Sequence, residues 1–210
     1  EIDNYIKDTA IIGSSSSAIS VTHISEGMKN SARVINTHPF NPPHVIPLVE
    51  IIPGKLTSEE TIATSVEFYK KIGKTPVVLN KAVLGFVANR LQAAILRESI
   101  SLVKEGVADM KTIDTVVSSS IGLRWAVSGP FKTFHLGGGE KGLEGFIPKL
   151  GYLMEKILWS DLAVDVHFDD TTSALLIQQD KQYYSAGYKE LAEETNEKQI
   201  DLINILKNHK

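Results

Sequence analysis

The hydrophobic pattern of this chain changes period once, at Asn80-Lys81, and that change limits the folds open to it. Before it, apolar residues come in short runs cut by glycine and proline. The runs are Thr9-Ala10-Ile11-Ile12-Gly13, Arg33-Val34-Ile35-Asn36-Thr37-His38, Pro47-Leu48-Val49-Glu50-Ile51-Ile52 and Thr75-Pro76-Val77-Val78-Leu79. Runs this short and continuous read as buried strands of a parallel α/β sheet. Thr57-Ser58-Glu59-Glu60 opens a helix, with acidic residues in its first turn, that is expected to run to Gly73. A short helix is expected at Ser20–Gly27. Ile2 and Ile6, four apart, read as the tail of an amphipathic helix, so the sequence is expected to begin inside a fold.

Beyond Lys81 one apolar repeat of helical period spans 83–107, through Phe86, Leu91, Ile95, Leu102 and Val103. Further helices are predicted over 110–118, 146–158 and 188–206, with 122–145 a stretch punctuated by glycine and proline. The expected architecture is an α/β portion, residues 1–80, followed by an all-helical portion, residues 81–210.

Composition narrows the function. The net charge is -3 and the pI about 6.1, so no broad basic face offers itself to nucleic acid. There is no cysteine, which excludes disulfides, thiol nucleophiles and Cys-ligated metals. No apolar run approaches the ~18 residues of a membrane helix, and the first residues carry no signal-peptide pattern. A soluble, cytoplasmic protein is expected.

Three places invite chemistry. The run Ser14-Ser15-Ser16-Ser17 would suit a linker, but it follows a strand and precedes an amphipathic segment, so an active-site loop is preferred. His38 ends one predicted strand and Glu50 lies in the next. A carboxylate in an apolar run is costly to bury without a partner. A His–Glu pair fixes the imidazole tautomer and builds a general base; spacing alone equally allows a core histidine and an edge-strand glutamate. Asn89, early in the long helix, is either solvent-facing or a holder of a substrate oxygen. The remaining histidines show no metal-ligand spacing, so no metal is inferred.

The motifs Thr37-His38-Pro39-Phe40-Asn41-Pro42-Pro43, Leu48-Val49-Glu50-Ile51-Ile52 and Gly85-Phe86-Val87-Ala88-Asn89-Arg90-Leu91 occur in the order and spacing of the 3-hydroxyacyl-CoA dehydrogenase family, which the whole chain resembles. The resemblance implies that residues 1–80 are the C-terminal part of an NAD-binding Rossmann domain and 81–210 a helical, dimerising domain. It also implies that about the first hundred residues, including a Gly-rich pyrophosphate turn, are missing, so that this fragment alone is expected to be inactive. By resemblance His38 is the base that takes the hydroxyl proton as hydride passes to NAD, and Glu50 orients it. Ser17 and Asn89 bind the substrate oxygen, Ser17 beside the nicotinamide, and Asn41 lies against the nicotinamide ribose or amide.

In the helical part, fatty-acid members of the family carry an Asp four residues after a Gly-Pro-Phe, where this chain has His135. That segment is more similar to the L-carnitine and L-gulonate 3-dehydrogenase (lambda-crystallin) branch. Trp125, Phe131 and Phe134 are either plain core or walls of a site for a quaternary ammonium group. Arg124 is either a carboxylate partner or a surface residue. The expectation is a portion of an NAD-dependent dehydrogenase of a small 3-hydroxy acid, a homodimer, oxidising L-carnitine. The alternatives are a 3-hydroxyacyl-CoA or L-gulonate dehydrogenase, or an inactive dimerising module.

Overall fold

A computed structural model describes residues 2–17 and 19–208. The chain forms two compact units, residues 1–92 and 93–210. The first is built on a four-stranded sheet of β1 (Ile12–Ser14), β2 (Val34–Pro39), β3 (Leu48–Pro53) and β4 (Thr75–Val78), in that spatial order. β1 and β2 are parallel, as are β3 and β4, but β2 and β3 are antiparallel, so the sheet is mixed rather than wholly parallel. Connection length decides this. Residues 40–47 are too few for a parallel crossover, which takes a dozen or more. The other two connections have room for α1 (Val21–Ile24) and α2 (Glu59–Lys71).

Local chemistry sets the ends of these elements. Ser58 caps α2 by accepting from the Thr61 amide, Glu59 and Glu60 occupy the first turn, and Lys70 and Lys71 the last. β1 is shorter than its apolar run, because the Lys7 and Ala10 carbonyls that precede it accept from the Arg33 guanidinium. Before it, Ile2–Asn4 makes one 3-10 turn instead of a helix tail. Asp3 there accepts from Asn30 Nδ2 at 2.8 Å and from the Lys29 amide.

The two central strands are buried on both faces. Ile35, Val49 and Ile51 pack with Ile11 and with Ile62, Val66 and Tyr69, the last three from α2. The opposite face of β2 carries Val34, Asn36 and His38, because side chains alternate along a strand.

The helical unit comprises the remainder of α3 (Ala88–Lys104), then α4 (Met110–Ser119), α5 (Ile121–Gly137), α6 (Gly142–Phe146), α7 (Asp170–Tyr183) and α8 (Tyr188–Asn208). α3 begins later than its apolar repeat, since Gly85 (φ 75°) and Phe86 (φ 50°) lie in the left-handed region. The glycine- and proline-bearing stretch proves helical, bent at Gly129 (φ 63°, ψ 171°) and Pro130. Thr133 Oγ1 donates to the Gly129 carbonyl at 2.6 Å, at the bend itself. Gly138 and Gly145 let α5 and α6 touch backbone to backbone: a Cβ on Gly138 would run into the Gly142 carbonyl. The helix expected over 146–158 is present, but as π-helical turns at Ile147–Gly151 and Met154–Trp159. α7 is tied to α4 by Tyr183, which donates to Asp109 at 2.8 Å, and by Tyr184, which donates to Asp114. Burial, then that Asp114 bond, pushes the Tyr184 hydroxyl up to about 12, so it stays a donor.

Candidate active site

The antiparallel register sets His38 directly across from Glu50. Directly opposed side chains in such a pair share a face with Cβ atoms about 5 Å apart. His38 Nδ1 lies 2.9 Å from Glu50 Oε2, with the side chains only 7% and 3% exposed. The other carboxylate oxygen, Oε1, accepts from the Val87 and Ala88 amides at 3.0 and 3.1 Å. These are N–H groups at the start of α3, which have no partner within the helix and which favour negative charge. Glu50 is thus a buried carboxyl group with three hydrogen-bond partners.

This network fixes the histidine. A carboxylate only accepts, so Nδ1 carries a proton, and in the neutral ring Nε2 presents a lone pair. Ser17 Oγ lies 2.9 Å from Nε2, to which it donates when the ring is neutral. His38 is 6% exposed, whereas Ser17 is exposed, so the basic nitrogen meets the outside at the serine. Phe86, 3% exposed, sets its ring edge-on to the imidazole with centroids 5.1 Å apart. Its positive φ costs strain of order 1 kcal/mol or more, and the turn it makes presents Val87 and Ala88 to Glu50.

The serine run behaves as a folded loop rather than a linker. Ser14 Oγ accepts from the Ser16 amide at 3.3 Å, and Ser16 Oγ accepts from the Ile19 amide at 2.9 Å. The Ser16 carbonyl accepts from Asn36 Nδ2 at 2.8 Å. Ser17 is left for His38. The loop follows the carboxyl end of β1, and His38 sits near the carboxyl end of the parallel β2, the edge where α/β sheets place ligands.

The other expected site residues are placed as follows. Asn41 is exposed in the β2–β3 connection, just past His38. Asn89 is half-buried in the first turn of α3, not mid-helix, and its side chain makes no hydrogen bond among the described residues. In the helical unit Arg124 is exposed, Trp125 is half-buried and Phe131 is 81% exposed, while Phe134 stacks on Phe146 with centroids 4.9 Å apart. That is the one ring contact of the three aromatics among the described residues. Among those residues no three His, Asp or Glu side chains gather as metal ligands.

Sequence reasoning missed the Val87 and Ala88 amides, Phe86 and Asn36. A signal existed for Asn36, a poor strand former in a buried run. None existed for the amides, because any residue supplies an N–H.

A base, a hydroxyl and an exposed amide at one sheet edge suit the reacting end of a dinucleotide. The pyrophosphate calls for a glycine-rich turn after a strand, and none of the four described strands is followed by one.

Residues 1–83 match the family described as "3-hydroxyacyl-CoA dehydrogenase, NAD binding domain", and residues 85–170 its C-terminal domain. The chain is 38% identical, over its whole length, to an L-carnitine dehydrogenase of Bacillus cereus, and 39% identical over 98% of its length to a 3-hydroxyacyl-CoA dehydrogenase of Gibberella moniliformis. It spans 64% of the length of each. A solved structure of a 5-formyl-3-hydroxy-2-methylpyridine 4-carboxylic acid 5-dehydrogenase, an NAD+-dependent dismutase, superposes with TM-score 0.79 at 31% identity, covering 98% of this chain and 67% of that one. The chain belongs to the 3-hydroxyacyl-CoA dehydrogenase family.

Proposed function

We propose that this chain carries the acid–base machinery of an NAD-dependent dehydrogenase of a small 3-hydroxy acid, residues 1–80 being part of the NAD-binding domain and 81–210 the substrate-binding, dimerising one. The observation that carries the reading is the hydrogen-bonded chain Ser17–His38–Glu50, which ends on the first amides of α3. His38 Nε2, unprotonated and reached past Ser17, takes the hydroxyl proton of the substrate. Bound NAD supplies the hydride acceptor. As His38 becomes an imidazolium, Glu50 balances its charge and keeps the ring from turning. Ser17 holds the substrate oxygen within reach of Nε2, with Asn89 beside it, and Asn41 lies toward the nicotinamide.

Replacing His38 by Ala in the intact protein should lower kcat by ~100-fold or more while sparing NAD affinity, since only proton transfer is removed. Near-normal turnover would overturn the assignment.

L-carnitine is the proposed substrate. The reading is supported by the name of the Bacillus cereus relative and by Phe131, whose open ring face suits a quaternary ammonium group. Arg124, Trp125 and Phe134 complete the proposed binding set. The intact protein should oxidise L-carnitine in preference to a 3-hydroxyacyl-CoA, and Phe131→Ala should raise KM for carnitine by ~3- to 5-fold with kcat little changed, the size of an exposed cation–π contact. Efficient turnover of the thioester with no carnitine oxidation would replace this substrate with the acyl-CoA.

A further inference from the structure

We infer that Asn36 is a positioning residue of this site, holding the serine loop so that the Ser17 hydroxyl rests on His38. Asn36 lies two residues before His38 on the same face of β2 and is 1% exposed. A carboxamide buried this completely in a strand is unfavourable unless it is used. Its Nδ2 donates to the carbonyl of Ser16, the residue before Ser17, at 2.8 Å. Its Oδ1 is buried with no partner among the described residues. The amide therefore gives up its acceptor to make this one bond to the loop, and because the Ser16 carbonyl only accepts, the amide faces it with nitrogen.

The pairing of β1 with β2 shows why that bond matters. The parallel ladder ends at Ser14↔Asn36, after which β1 leaves the sheet. From there the Asn36 side chain takes over the work of the ladder and fixes the carbonyl two residues further on. The bonds that Ser14 Oγ and Ser16 Oγ accept are internal to the run and its neighbour Ile19 and give it a shape. The bond from Asn36 ties that shape to the strand that carries the base. Without it the loop keeps its turns but not its distance from Nε2.

This inference rests on the dehydrogenase reading for its kinetic consequence but not for its structural one, and two measurements separate them. In the intact protein, Asn36→Leu should lower kcat/KM by ~10-fold, the scale of a lost alignment. The same change in a Ser17→Ala background should cost less than ~2-fold, because the two residues act through one contact. Asn36→Asp, which keeps the shape but loses the donor, should behave like Asn36→Leu and serves where the latter does not fold. Independently of activity, the nitrogen-15 signal of His38 Nε2 in either variant should move to its position in Ser17→Ala. Additive losses in the double variant, or an Nε2 signal that stays at its wild-type position, would overturn the role. An unreactive wild-type protein with the expected Nε2 shifts would refute the dehydrogenase reading and leave the positioning role standing.

Discussion

The sheet unit concentrates its inaccessible side chains in two central strands, whereas the helical unit has few. In the sheet unit Val34, Ile35, Val49, Ile51 and Ile52 are all essentially inaccessible, and a histidine, a glutamate and an asparagine are buried among them. In the helical unit Ile100, Val103 and Phe146 are buried, while Leu123, Val127, Phe131, Ile157 and Trp159 each stand more than half exposed. A strand paired on both sides has its backbone fixed by the ladder, so the face to which a polar side chain points is set by the pleat. An amphipathic helix has only the cover its neighbours supply. Preorganised polar groups in this chain therefore belong to the central strands of the sheet. The difference also fits the proposed dimer: the intact protein is expected to sediment as a dimer through its helical unit, and a monomer at tens of micromolar would contradict that.

The sharpest way to break the contrast is to damage the polar core of the sheet. Glu50→Ala would leave the buried His38 Nδ1–H and two amides at the start of α3 without their partner, a loss of roughly 3–5 kcal/mol. Urea unfolding followed by hydrogen exchange at β2 and β3 should show it, with α5 and α6 less affected. If the loss is under about 1 kcal/mol, the pair is far less buried than described.

The helical unit should be most sensitive where backbones touch. Gly138→Ala places a methyl against the Gly142 carbonyl and the Phe146 amide, which cannot swing aside as a side chain would. A destabilisation of about 1–3 kcal/mol is expected, with the Ser17–His38 contact unchanged by nitrogen-15 spectroscopy.

A smaller effect tests whether the sheet unit depends on helix capping as well as on its core. Ser58→Ala removes the acceptor for the Thr61 amide and should cost about 1 kcal/mol. The smallest is a pH effect in the helical unit. The Thr112 amide, and behind it the Tyr183 hydroxyl, hold the Asp109 carboxyl below its ordinary value. A group whose folded pKa is lowered stabilises fully above its unfolded pKa and loses that contribution as pH falls through the folded one. The gap in Tm between the wild type and Asp109→Ala should therefore be full at neutral pH and close as the carboxylate range is crossed in acid.

Much of the fold was legible in the sequence because it follows from local rules. The change of period at Asn80-Lys81, the Ser58 cap with its acidic first turn, and proline and glycine at the ends of β2 and β3 declare strands, a helix and loops without reference to anything distant. His38 and Glu50 stood out because each is polar where its neighbours are not. α7 went unread: its apolar and polar residues are not sorted to faces, and its cap, Asp169 accepting from Thr172, was the available signal. Tertiary structure alone decided that β2 and β3 run antiparallel in a register placing residue 38 across from residue 50, that Phe86 leaves a helical pattern for a left-handed turn, and that the Val87 and Ala88 amides meet Glu50. The physical reason is one of range. Propensity and capping act within a few residues, while a strand register and a shared carboxylate are set by contacts between segments twelve to forty positions apart.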